Sequence, residues 1–497
     1  MSATGELDNT RTPARTAEQS HVSDVPAASA PSAAQTESLA LMKANSQAKP
    51  FGDVRANFSE HLEIPPIQEL AWSAQTGDVA EAHDRLIESA TKSFNGDAKT
   101  LAAFENNMST LETRMKSSAP EDVVKTYAEV KRLLDTSSTI VSDKQRGELA
   151  CDVMERAAHP LSSNQGESLD CAAASIENLL YSKSPALAAG YVADVALTGK
   201  FKDETGNVVS VDKNTIAIPQ GAISDGQIKE GMEPRSHGDQ VIQAVIRNEE
   251  LALVNAKNGV SSDGKKGLKY EVKDAIGFNE TGEYVTDYSK KPPMDVTSDW
   301  NGMQGDNIAD VAKALDAKNS QNEKNVFLRW SSVANVDQFK SALANPEPAF
   351  PRLLGINVAQ EPFKSTMDVK DEDGVGFHAI TLVSYDAKTN LIHYRNPDFA
   401  SRDMTVDVDK MYNAMLIHRE DDDLKVVGDE LRNNHAKWLE KPEAASDDVY
   451  AFLQATEAAQ RNEALQKVSK ESGIDLAHLL SEQQKSELGV FTVSGGG

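Results

Sequence analysis

Gly374-Val-Gly-Phe-His378-Ala-Ile-Thr-Leu-Val-Ser-Tyr-Asp386 opens the stretch on which the reading of this chain turns. The histidine heads a run of small and apolar residues with the two-residue period of a strand. Asp386-Ala-Lys-Thr-Asn390 supplies a turn, Leu391-Ile-His-Tyr394 returns, and Arg395-Asn396-Pro397-Asp398 follows. An antiparallel hairpin brings its open ends together, so Asn396 and Asp398 are expected beside His378 across gaps of 18 and 20 residues. A carbonyl or carboxylate there would bind one ring nitrogen, fix the tautomer and aim the other nitrogen outward. Phe399 would shield that bond from water.

An imidazole held in this way is useful next to a thiol, and the chain has two cysteines, too few for a disulfide framework. Cys171 lies in Ser163-Asn-Gln-Gly-Glu-Ser-Leu-Asp-Cys171-Ala-Ala-Ala-Ser-Ile-Glu-Asn-Leu-Leu180, where a polar loop gives way to an Ala-rich helix. A thiol in the first turn meets unpaired N–H groups and the positive end of the macrodipole, both of which favour thiolate. Gln165, six residues upstream, offers a side-chain amide to an oxyanion beside the Cys171 N–H. The competing reading is a small buried helix cysteine without reactivity. Cys151, in Glu148-Leu-Ala-Cys-Asp-Val-Met154, reads as a structural mid-helix residue. Among the other histidines, His237 has an Asp two positions on but no hairpin, and His159 is a weaker alternative within the loop before Cys171. His393 and His418 read as strand residues. No Cys/His grouping has ligand spacing, so neither a metal nor a cofactor is expected.

Outward from these motifs, residues 159–419 mix short apolar strands at 325–330, 353–358, 377–385 and 391–394 with helices at 171–182, 238–248 and 306–317, an α+β domain. Residues 59–158 carry a helical period: Leu86 and Ile87, then Leu101, Phe104, Met108, Leu111 and Met115, then Val123, Val124, Tyr127, Val130, Leu133 and Leu134 after Pro120. A helical hairpin or small bundle is expected there. Ala, Ser, Thr and Pro make up 27 of the first 50 residues, so 1–58 reads as a disordered arm. Residues 420–497 open on Glu420-Asp-Asp-Asp423, are acidic and helical in pattern, and finish in a flexible Ser494-Gly-Gly-Gly497.

The 497 residues carry a net charge of −26 with no Lys/Arg cluster, which argues against nucleic acid and anionic membranes as partners. No window approaches a spanning helix, and the N-terminus has neither the basic nor the apolar region of a signal peptide.

Together the residues resemble the papain-like cysteine peptidase superfamily. Asn164-Gln165-Gly166 with Cys171 five positions on is similar to that family's oxyanion glutamine and nucleophile. His378-Ala379-Ile380 with Val383 and Tyr385 is similar to its histidine strand, and Asn396 falls on its third catalytic position, with Asp398 as the alternative orienter. The Asp-Cys-Ala-Ala-Ala-Ser stretch also resembles the bacteriocin-processing branch. The resemblance covers about 160–420 and implies a two-lobe fold, a helical lobe with the cysteine and an antiparallel β lobe with the histidine. Ala172 replaces papain's aromatic residue, the Asn-Ser-Trp-Gly pattern is absent, and Asp386 is a further candidate orienter. The 207 residues from Cys171 to His378 exceed the roughly 130–150 of papain, implying insertions at 200–235 and 255–300. The polar arm resembles export signals of injected bacterial effectors.

The expectation is therefore a thiol protease cleaving a peptide or isopeptide bond of a protein substrate, in a secreted virulence effector injected without a signal peptide, or else cytoplasmic. Two alternatives stay open. One is a glutamine deamidase, transglutaminase or acyltransferase on the same residues; the other is a non-catalytic effector that binds a partner. Oligomeric state is not readable.

Overall fold

Four helices come first among the described residues: α1 (Val79–Ser93), α2 (Ala98–Met115), α3 (Pro120–Asp135) and α4 (Asp143–Ala158). Pro120 sits in the first turn of α3, where its missing N–H costs nothing. Ser142 and Gln145 close a reciprocal capping box on α4. Leu86, Phe104, Met108, Leu111, Met115, Val123, Tyr127, Val130 and Leu133 are buried, so the three- and four-residue spacing faces inward.

The computed structural model describes residues 78–490 except 116–118, 167, 169, 220–234, 261–265, 274–281, 301, 304–306, 317–326, 329–332, 334, 359, 367–376, 401 and 417–441. The arm at 1–58, His418, the acidic run at 420–423 and the glycine-rich end at 494–497 lie outside the described residues. All described residues belong to the unit Ile64–Gly497.

Next come α5 (Cys171–Lys183), α6 (Pro185–Thr198), a small hairpin of β1 (Lys200–Lys202) and β2 (Val208–Ser210), α7 (Lys213–Ala217) and the long α8 (His237–Lys257). The antiparallel sheet β3 (Leu268–Val272), β4 (Glu283–Asp287) and β5 (Met294–Asp295) follows, then α9 (Ile308–Leu315). One core joins the first helices to these elements, running from Leu86 and Phe104 through Ile176, Val192 and Val241 to Leu353 and Ala379.

The larger sheet contains β6 (Phe327–Leu328), β7 (Arg352–Asn357), β8 (Phe377–Asp386), β9 (Leu391–Arg395) and β10 (Met404–Asp407), in the order β10-β9-β8-β7-β6. The hairpin reading places β8 and β9 correctly, and they pair antiparallel with Thr381 opposite Arg395. The chain is α+β, but the expectation of an antiparallel β lobe needs one correction: β6 and β7 are parallel. Between them the chain passes through helix α10 (Val336–Ala344), the kind of long helical connection that parallel neighbours require. The outer face of the sheet has its own core, in which Leu354, Ile356, Ile380, Leu382 and Tyr394 meet Phe339 and Met411, the latter on α11 (Val408–Ala414). The helices α12 (Pro442–Gln454), α13 (Arg461–Ser472) and α14 (Glu482–Leu488) pack around Val449, Leu453, Val468 and Leu476. No helix among the described residues is long and apolar enough to cross a membrane.

The approach of α8 to α4 depends on a glycine. The Gly238 N–H donates to Asp152 Oδ2 at 2.7 Å, and a Cβ on Gly238 would lie 2.4 Å from Asp152 Cβ. Gly238→Ala is therefore expected to lower stability by about 1–3 kcal/mol through overpacking, read as a lower urea midpoint at unchanged slope. A midpoint equal to wild type would show that the two helices separate without cost.

Candidate active site

Cys171 is the first residue of α5, so its position is set by where that helix starts and how it docks. The face carrying Cys171, Ser175 and Asn178, spaced four and three residues apart, lies on β8. Ser175 Oγ donates to the Ala379 carbonyl at 3.2 Å, and Asn178 Nδ2 donates to Thr381 Oγ1 at 3.1 Å. Asn178 Oδ1 accepts from the Ser163 N–H at 3.1 Å, fixing the start of the loop that leads to Cys171. Docked this way, Cys171 Sγ accepts the Ala379 N–H at 3.4 Å and lies close enough to the His378 ring to raise its pKa.

His378 Nε2 is 2.8 Å from Asn396 Oδ1, which leaves Nδ1 as the nitrogen for the sulfur. Asn396 itself is fixed by the Asp398 N–H, which donates to the same Oδ1 at 3.0 Å. The Asp398 carboxylate is 3.8 Å from His378 Nε2, beyond hydrogen-bond length but close enough to act through its charge. Asp386 lies at the opposite end of β8, in the turn, accepting from the Lys388 N–H. Phe399 is buried in the short turn after Asn396.

The three side chains are well covered: Cys171 is 9% exposed, His378 5% and Asn396 0%. Burial by itself would push the imidazolium down. The charge at Cys171, the Asp398 carboxylate and the hydrogen bonds to Cys171 and Asn396 outweigh it and hold His378 up at about 9.

Gln165 sits in the loop between Ser163 and Asp170. Its N–H donates to the Pro397 carbonyl at 3.4 Å, tying this loop to the segment that carries Asn396. One N–H of Nε2 is used on the Ser168 carbonyl at 2.8 Å, and Oε1 is buried without a hydrogen-bond partner among the described residues. Gly166 takes φ +63°, a conformation that favours glycine, and its N–H reaches Asn164 Oδ1 at 2.7 Å. From below, Gln243 on α8 donates to the Asn164 carbonyl at 3.0 Å and to Glu177 at 2.9 Å. Arg235 reaches Ser168 Oγ at 3.4 Å and Glu283 at 2.6 Å. Asp170, just before Cys171, is 3.1 Å from Arg247 Nε and 3.2 Å from the Tyr270 hydroxyl. Burial and Glu283 push its carboxyl up, and Arg247, Arg235 and Tyr270 hold it back to about 7.

Motif reading did not find Ser175, Asn178, Gln243 or the Asp170 partners. For the first two a signal existed, namely two polar residues on the cysteine's own face of an apolar helix. The other candidate histidines among the described residues lie on other elements. His237 begins α8 with Nε2 2.6 Å from the Ile216 carbonyl, and burial lowers its pKa. His159 ends α4, and His393 is exposed on β9. Among the described residues no group of three or more His, Cys, Asp and Glu side chains is placed to hold a metal ion.

Cys151 packs against the core from α4, and burial together with Asp152, Glu148 and Glu155 pushes its thiol up to about 12. Iodoacetamide at pH 8 should therefore label Cys171 at least ~10-fold faster than Cys151, as read by peptide mapping. Comparable labelling of the two would contradict the environments described above.

No family model, curated protein or solved structure matches the chain.

Proposed function

We propose that this chain is a papain-like cysteine hydrolase that cleaves a peptide or isopeptide bond through an acyl-thioester. One observation carries the reading: a thiol at a helix start, an imidazole whose pKa that thiol raises, and an amide oxygen 2.8 Å from a ring nitrogen. Those groups come from α5, from β8 207 residues later and from the turn after β9, and a packing accident has no need to order all three.

In this reading the Cys171 thiolate attacks the carbonyl carbon while His378 holds the proton as imidazolium. The oxyanion is held by the Cys171 N–H and a side-chain N–H of Gln165. When the tetrahedral species collapses the C–N bond breaks, and the His378 proton passes to the leaving amine. Neutral His378 then takes a proton from water, the hydroxide equivalent attacks the thioester, and the acid leaves as the thiolate returns. Asn396 keeps the ring aimed in both half-reactions. The larger sheet with His378 and the helices around α5 would form the two lobes.

The sign of the pH dependence follows from His378. Its folded pKa is raised to about 9 from an ordinary 6.5. The proton needed by the leaving amine is therefore present below that range and is lost as pH rises through about 9. Its contribution to stability runs in parallel, complete below about 6.5 and lost by the same point. Turnover of a proteome-derived peptide library should fall on the alkaline side near pH 9 while iodoacetamide labelling of Cys171 does not. Cys171→Ala should abolish turnover, and His378→Ala should reduce it by ~10²–10⁴-fold. Mass spectrometry of the products reads the reaction type: new termini support hydrolysis, whereas a mass gain of about one unit on glutamine without cleavage replaces it with deamidation on the same thioester chemistry. Turnover that survives Cys171→Ala would end the proposal.

A further inference from the structure

Aspartate is among the strongest helix N-caps, its carboxylate accepting from the first-turn N–H groups. Asp170 occupies that position before α5 and does not do so: its side chain makes no capping bond. The carboxylate is turned away instead. Oδ1 lies 3.1 Å from Arg247 Nε, while Oδ2 lies 3.2 Å from the Tyr270 hydroxyl and 3.8 Å from Arg235 Nη1. Tyr270 and Arg235 are themselves fixed on Glu283 Oε1 at 2.7 and 2.6 Å, and the Arg247 guanidinium packs over the Tyr270 ring at 5.8 Å. Tyr270 and Glu283 belong to β3 and β4 of the three-stranded sheet, within one of the stretches the sequence marks as inserted.

We propose that Asp170 is a positioning residue, held off the start of α5 by Arg247, Tyr270 and Arg235 so that the first-turn N–H groups stay open to negative charge arriving at Cys171. The proposal rests on the hydrolase reading and adds to it a task for the small sheet. A carboxylate swung onto the helix start would take the N–H groups of Ala172 and Ala173, cancel part of the positive field at the helix end, and set a like charge beside the oxyanion held by the Cys171 N–H. An apolar residue at 170 would leave those N–H groups open but remove one carboxylate partner from each of two buried guanidinium groups, leaving Arg247 with Glu250 and Arg235 with Glu283. An aspartate held elsewhere meets both demands.

The test needs no substrate. Alkylation of Cys171 by iodoacetate, an anion, is compared with alkylation by neutral iodoacetamide in wild type, Tyr270→Phe and Arg247→Lys. Tyr270→Phe removes one donor to Asp170 with no change of formal charge, and Arg247→Lys serves if that variant does not fold. Releasing Asp170 should lower the iodoacetate-to-iodoacetamide rate ratio by about threefold, the scale of one charge at a helix N-terminus. The iodoacetamide rate should stay within about twofold, because only the charge at the helix start has changed. Adding Asp170→Asn to either variant should restore the ratio, since no carboxylate is then left to swing. An unchanged ratio in the folded variants, or an equal fall in both rates, would overturn the assignment. A wild-type Cys171 inert to both reagents would overturn the hydrolase reading itself, and this assignment with it.

Discussion

Ser175 Oγ on the Ala379 carbonyl and Asn178 Nδ2 on Thr381 Oγ1 are two of the bonds that hold α5 against β8. Both are buried, so each contributes only about 1 kcal/mol when made, while a partner left alone costs ~1–3 kcal/mol. That asymmetry suits them to fixing position. Apolar contacts between Ile176, Ala173, Ala379 and Leu353 drive the docking, and many nearby placements would bury similar area. The two bonds select the placement in which the sulfur meets the Ala379 N–H and the His378 ring.

Beneath that seam lies a web of buried charge unusual for a domain core. Arg156 grips Asp239 on α8 through two bonds of 2.6 and 2.8 Å, Arg247 pairs with Glu250 within α8, and Arg235, two residues before that helix, pairs with Glu283 on β4. Buried ion pairs are weak evidence for stability, since desolvation offsets most of their attraction. They are geometrically demanding, however. In this chain they join the loop before Cys171 to elements that share no local sequence with it, so the shape of that loop depends on the whole assembly.

The parts legible in the sequence are those whose causes are local. The β8–β9 hairpin carries its period and its turn within about 20 residues, and Asn396 follows from the pairing. The start of α5 shows as a polar loop meeting alanines. Helix α8 runs to Lys257 rather than stopping near 248, because Arg247, Asn248, Glu249 and Glu250 look like a solvated helix end but are buried. Their partners, among them Trp300, Tyr270 and Asp170, lie far away in sequence. The β3–β5 sheet stayed hidden for the same reason, as Glu271 and Glu283 read as loop polarity until Tyr288 and Arg235 meet them. The parallel β6–β7 pair was unreadable because two-residue β6 has no period of its own.

One irregularity in β8 has a consequence for how this chain can vary. Thr381 and Leu382 pair with Arg395 and Tyr394, but Ser384 pairs with His393, so Val383 is an extra residue with no partner. That step sets which side of the sheet each residue beyond it presents, since side chains alternate at every position. Between the histidine and its amide partner the chain therefore obeys a counting rule. An insertion or deletion of one residue there reverses inside and outside unless a second change restores the count, whereas a change of two leaves the faces as they were. Length in this hairpin is free to drift only in even steps, so a further one-residue change there needs a compensating one to keep both faces in place.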